Sequence, residues 1–189
     1  MAITAPLATT AWVAHNLGVA AELGGSLFGK FALNPSVKQI GSETDRGKVL
    51  SSAWNGYNIV NAISLGTVAV TWLTGRAKYN LSGKEVSSTA RALVIAKDWL
   101  VGSAVVVGVA NGVGGFLFAR QAPGGATPVA SGTKPASDTP KSTATIQRTL
   151  DVLGNVNIAL LAGISAVTTV LAMESGKSGR WSFITRFLP

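Results

Sequence analysis

The chain has 189 residues, of which 13% are charged and 47% apolar, with no cysteine and a formal net charge of +8. Charged residues make up roughly 25% of an average soluble domain; here the apolar residues lie in long uncharged blocks instead of alternating with charge, which is the composition of a membrane protein. Zero cysteine excludes disulfides, thiolate metal sites and cysteine nucleophiles, and basic residues gathered at the ends of apolar blocks fit anionic lipid head groups and argue against nucleic acid as a partner.

A bilayer core of about 30 Å needs about 20 apolar residues per helix. Four such blocks are present. The first runs from Leu7 to Gly29 and stops at Lys30. It carries no basic region before it, so it reads as a retained span and not as a signal peptide. The second covers Leu50 to Gly75. The third runs from Asp98 to Ala119, with "STARALVIAK" as a helical lead-in, and the fourth from Leu150 to Met173. Trp12, Trp54, Trp72 and Trp99 fall near span ends, where amphipathic rings prefer to sit. The expected fold is an all-α integral membrane protein, a four-transmembrane-helix bundle over residues 1–178.

The connections differ in character. Residues 34–48 are short and charged, and 76–85 form a basic turn. Residues 121–145 hold four prolines among Ser, Thr, Ala and Gly, a composition that predicts a disordered, protease-sensitive loop. The tail, 179–189, sets Trp181, Ile184 and Phe187 or Leu188 opposite Arg180 and Arg186, as a short helix lying in the membrane surface would. A frayed tail is the alternative. Basic residues divide equally between the two sides. Dilution of Lys134 and Lys141 in the long loop then places both termini in the cytoplasm and the protein in the plasma membrane.

"GVAAELGGSLFGK" (18–30) aligns with "GVANGVGGFLFAR" (108–120), and "KVLSSAWN" (48–55) more loosely with "RTLDVLGN" (148–155). Duplicated helical hairpins would explain the match; convergent packing of small residues is the alternative. Gly25-x-x-x-Gly29 and Gly108-x-x-x-Gly112 mark faces on which helices could approach closely.

Depth follows from the rise of about 1.5 Å per residue. Glu22 falls about 4 to 5 Å from the midplane, on the side of Lys30. Asn58, Asn61, Asn111 and Asn157 fall in the same layer, one or two from each remaining helix. A carboxylate at that depth costs about 2.5 to 3.5 kcal/mol on insertion scales, so Glu22 is expected to face the interior, paired with these amides or protonated. His15 shares its helix face about 10 Å away, level with Ser64 or Thr67, Ser103, and Ser165 or Thr168. Asp98 with Lys97, and Asp151 with Arg148, read as interfacial pairs. One histidine and one distant glutamate make a poor ligand set, so no metal, haem or other cofactor is expected. No Ser-His-Asp arrangement is expected either.

The stretch "HNLGVAAELGGSLFGKFALNPSV", followed by a charged turn and "RGKVL", resembles the opening of a family of small uncharacterised four-helix transmembrane proteins of bacteria and eukaryotes. Their first helix has a His-Leu-Leu-Gly-like start, a glycine-containing middle and an apolar run closing near proline. The resemblance covers residues 15–50, and the Pro-rich third loop departs from the compact pattern. It implies an architecture and no activity. Three functions remain open: a structural or accessory subunit that associates with other membrane proteins or with itself; a small channel or proton-coupled transporter using Glu22 and His15; and an enzyme acting on a lipophilic substrate.

Overall fold

A computed structural model describes residues 4–81, 87–121 and 127–176. Its framework is four long helices: α1 (Thr4–Phe28), α2 (Glu43–Leu81), α3 (Ser88–Arg120) and α4 (Lys141–Gly176). No strand occurs among the described residues, which contain a single β-bridge, Val129 with Pro135.

Helix starts follow local chemistry. Ser87 caps α3, its side chain accepting from the Ala90 amide at 3.1 Å. Ser42 does the same for Asp45 at 3.3 Å, while Glu43 and Asp45 place negative charge at the positive end of α2. Pro140 lacks an amide hydrogen and stands where the α4 helix begins at Lys141.

The helices overrun the expected spans. With 39 and 33 residues, α2 and α3 would extend about 58 and 50 Å, well beyond a hydrocarbon core of about 30 Å. Helix α2 therefore starts seven residues before Leu50 and continues through the expected basic turn as far as Leu81. Residues 34–39, expected as loop, are helical as well. α1 runs directly into a π-helical turn, Gly29–Leu33, then a short α-turn and a 3-10 turn, and the chain becomes extended at Ile40.

Contacts along the helices define an up-down bundle. Gly29 meets Trp54, Gly25 meets Tyr57 and Gly18 meets Ser64, so α1 and α2 run antiparallel. Gly108 against Leu65 and Asn58 beside Gly115 give the same relation for α2 and α3, and Gly114 against Leu150 with Gly163 against Leu100 for α3 and α4. α4 also packs on α1, closing the ring. An apolar plug fills the centre: Val19, Leu65, Val68, Val101, Ala104, Leu161 and Ile164.

Two helices, α3 and α4, are long and apolar enough to cross a membrane. Only 17% and 22% of their apolar stretches is buried inside the protein, unlike the core helices of a soluble domain. α1 and α2 are diluted by polar residues, of which His15, Glu22 and Ser64 turn inward while Asn16, Ser52 and Thr74 stay exposed. Large apolar side chains face outward on all four helices, among them Leu17, Ile59, Ile63, Val106, Val109 and Val152.

The long loop is not the disordered segment its composition predicts. Residues 122–126 lie outside the described residues, but 127–140 fold over one end of the bundle and 141–145 belong to α4. Val129 is fully buried in a second apolar cluster with Val37 and Leu50. Its amide donates to the Glu43 carbonyl at 3.1 Å, that of Gly132 to the Asn34 carbonyl at 3.1 Å, and Arg46 donates to the Ala130 carbonyl at 3.2 Å. Thr139 donates to Pro128 and Gln147 to Ser131. The loop cannot build a core of its own, yet one apolar anchor and backbone bonds to preformed helix ends suffice to order it. The tail at 179–189 lies outside the described residues.

The four glycines expected at helix contacts differ in the space around them. Gly25 faces Tyr57, Gly29 faces Trp54 and Gly108 faces Leu65, each too closely for a side chain, whereas Gly112 faces open space. Gly114 carries the contact expected of Gly112, and Gly18 and Gly163 are further close approaches. Aligned glycines are not used alike: Gly24 meets nothing, and its counterpart Gly114 packs on Leu150. The packing lends the repeat no support.

Candidate functional site

Helix α2 carries Ser51, Asn55, Asn58 and Asn61 at spacings of four, three and three, which puts them on one face over about 15 Å. That face lines a cavity of about 180 Å³ together with Ser26 and Lys30 of α1, Asn111 and Gly115 of α3, and Gly154 and Asn157 of α4. Val129, Gly132 and Thr133 of the folded loop line its outer end. The π-helical turn after α1 aims Lys30 and Asn34 at the same space; such turns often accompany functional sites. At this outer end Lys30 Nζ and Asp151 Oδ1 form an ion pair at 2.8 Å, with side chains 28% and 30% exposed. Asp151 therefore pairs across to α1, not with Arg148 on its own helix.

The inner end is the polar layer predicted from depth. Glu22 is fully buried, and its Oε1 accepts a hydrogen bond from Asn157 Nδ2 at 3.1 Å. Tyr57, seated in the gap left by Gly25, donates its hydroxyl to the Glu22 backbone carbonyl at 2.7 Å. Of the four asparagines expected around the carboxylate, Asn157 bonds it. Asn58, Asn61 and Asn111 line the cavity with Asn157 instead. Six buried oxygens have no hydrogen-bond partner among the described residues: Glu22 Oε2, Asn157 Oδ1 and Asn61 Oδ1 at this end, Gln147 Oε1 in the cavity wall below the folded loop, and Thr127 Oγ1 and Thr168 Oγ1 elsewhere. Buried polar atoms are nearly always satisfied, so acceptors left over beside a cavity call for a donor.

Beyond Glu22 the apolar plug closes the axis, and a second polar cluster lies on its far side. His15 Nδ1 is 2.9 Å from Thr71 Oγ1. The Thr71 hydroxyl donates to the Thr67 carbonyl at 2.6 Å, so it accepts from Nδ1–H, and His15 Nε2 is left buried without a partner among the described residues. Depth set His15 level with Ser64 or Thr67 of α2; the hydroxyl it bonds is that of Thr71, one turn beyond Thr67. Lys97, read from the sequence as an interfacial partner of Asp98, is 1% exposed, and its ammonium lies 4.4 Å from the Trp72 ring centroid and 5.7 Å from that of Trp12. Asp98 turns the other way and accepts from Trp72 Nε1 at 2.8 Å and Arg76 Nε at 3.0 Å. Successive helix residues point about 100° apart, which separates the two. The sequence signal for this site was the Trp12-x-x-His15 pair one turn apart on α1, level with Trp72.

The arrangement offers hydrogen-bond acceptors on the wall of a small polar chamber and, bonded to Asn157 of that wall, one buried carboxylate. No group of three or more His, Asp or Glu side chains is placed to hold a metal ion among the described residues. Comparison with family models, curated proteins and solved structures finds no match to this chain.

Proposed function

We propose that the protein is an integral membrane bundle of four spans whose asparagine-lined cavity is a vestibule for a small polar solute, open toward the loop end and ending at Glu22. The outward apolar side chains on all four helices support the four spans, since a continuous surface of that kind needs lipid or a partner around it. The observation that carries the vestibule is the cavity itself, with unsatisfied acceptors at its inner end. Glu22 is the group through which solute binding couples to proton movement, and the apolar plug is the barrier between the vestibule and the His15–Lys97 cluster. The role is one of binding and passage, without covalent catalysis.

Absence of cysteine makes the test direct. Single variants Asn55→Cys, Asn58→Cys and Leu65→Cys in membrane vesicles would be exposed to a charged, membrane-impermeant thiol reagent. Asn55→Cys and Asn58→Cys should react from one side of the membrane, and Leu65→Cys, in the plug, from neither. If Asn58→Cys is as inert as Leu65→Cys, there is no aqueous vestibule.

A second reading is favoured by a separate observation. Polar contacts join different helices at each level: Lys30–Asp151, Glu22–Asn157, His15–Thr71 and Arg76–Asp98. Such bonds are worth about 0.6 kcal/mol each in membranes and would serve an accessory subunit as internal glue. Co-purification of a stoichiometric membrane partner in mild detergent, with inert cysteines in the cavity, would favour it.

A further inference from the structure

We infer that the ligand of the vestibule is a small monovalent cation, an N–H-bearing ammonium group above all, held at its inner end by Glu22 Oε2, Asn157 Oδ1 and Asn61 Oδ1. The inference rests on the vestibule reading and deepens it by naming the ligand's chemistry. All three unpartnered atoms are acceptors. The residues that carry two of them, Glu22 and Asn157, are more than nine-tenths buried, and Asn157 and Asn61 both line the cavity. With Glu22 ionised, a solute bound here must donate hydrogen bonds or be coordinated as a metal ion, and a primary ammonium brings three donors. Water can also donate, but it leaves the Glu22 charge without a counter-charge in a low-dielectric setting, whereas a cation supplies donors and opposite charge together. An anion would meet the Glu22 carboxylate, while the nearby Lys30 ammonium is already engaged by Asp151 at 2.8 Å. The volume, about 180 Å³, admits a small organic molecule as readily as a partly hydrated inorganic ion.

Protection from labelling tests this on the full chain in vesicles. The Asn58→Cys variant is modified in the presence of ethylammonium, tetramethylammonium, sodium, ethanol or acetamide, with ionic strength held constant where salts are compared. Ethylammonium should slow the reaction at concentrations where ethanol, acetamide and the donor-free tetramethylammonium have no effect. Adding Glu22→Gln should raise the half-protecting concentration at least tenfold, protection being measured against that variant's own unprotected labelling rate. Adding Asn61→Ala, which removes one acceptor and keeps the Glu22–Asn157 bond, should raise it several-fold. Sodium protecting equally well, with the same dependence on Glu22, supports the cation site and identifies its occupant as inorganic. Equal protection by ethanol or acetamide, no protection by any cation, or protection indifferent to both variants overturns the cation and leaves the vestibule standing. An Asn58→Cys that never labels instead removes the vestibule itself.

Discussion

Replacing Glu22 by leucine and by glutamine separates what its side chain contributes to the fold from what it contributes to the cavity. Both replacements fit the site closely in size. Glutamine keeps an oxygen to accept from Asn157 Nδ2 and adds an amide that can donate to Asn157 Oδ1, an atom without a partner among the described residues. Its effect on stability should be within about 0.5 kcal/mol, the scale of one interhelical bond in a membrane. Leucine leaves the Asn157 amide with neither bond. A buried donor stranded in this way costs about 1 to 3 kcal/mol, and access to cavity water moves the expected loss toward the lower half of that range. Reversible unfolding in mixed micelles with increasing SDS, followed by far-UV circular dichroism, would measure both. A leucine variant no less stable than the glutamine variant would refute the reasoning, because the Glu22–Asn157 bond would then hold nothing. A proton-coupled role adds a second signature: Glu22→Gln should abolish solute-driven proton flux in liposomes while stability is kept.

Gly25→Ala should destabilise by about 1 to 3 kcal/mol in the same assay, because the new methyl displaces the Tyr57 ring from its bond to the Glu22 carbonyl, whereas Gly112→Ala, facing open space, should be neutral or slightly stabilising. Gly47→Ala sets a methyl against the Thr127 backbone carbonyl and should lift the folded loop, so that proteinase K cuts within residues 127–140 faster than in the wild type. A double-mutant cycle on Lys30 and Asp151 should give a coupling of no more than about 1 kcal/mol that shrinks with added salt, since the pair is partly open to solvent.

Depth along a helix is legible in a sequence, and rotation about its axis is much less so. The rise per residue placed Glu22, Asn58, Asn61, Asn111 and Asn157 in one layer, and the structure keeps Glu22 and Asn157 buried and the other three on the cavity wall. Which amide bonds the carboxylate depends on how four helices turn toward one another, set by contacts such as Gly25 with Tyr57. The same gap explains His15, whose depth matched Ser64 or Thr67 while the hydroxyl it bonds is that of Thr71. Ser51 and Asn55 continue the stripe of Asn58 and Asn61 at helical spacing, a signal present in the sequence that depth alone does not single out. The ion pairs of Asp98 and Asp151 were read between sequence neighbours, but both reach across to another helix. Loop composition misled for a different reason: it measures how much core a segment can build, not whether an existing one has room for a single valine.

Glue alone leaves the cavity without a cause. Helices that associate in lipid gain chiefly from close packing, and unfilled space between them forfeits those contacts. Yet small residues line this space from three sides: Gly115 on α3, Gly154 on α4 and Ser51 on α2. A side chain at Gly154 would meet nothing within 4 Å, so nothing in the packing demands glycine there. A purely structural layer would also close its own hydrogen bonds, as Asp98 does with Trp72 and Arg76. Around Glu22 the opposite holds: the carboxylate keeps one bond to Asn157, and the oxygens left over belong to the residues nearest the open volume or lining it. Filling should discriminate between the two readings. Gly154→Leu should tighten a bundle held by glue, raising its stability or leaving it unchanged with no further consequence. In a working vestibule the same change should occupy the chamber, block labelling of Asn58→Cys and abolish solute protection, whatever it does to stability.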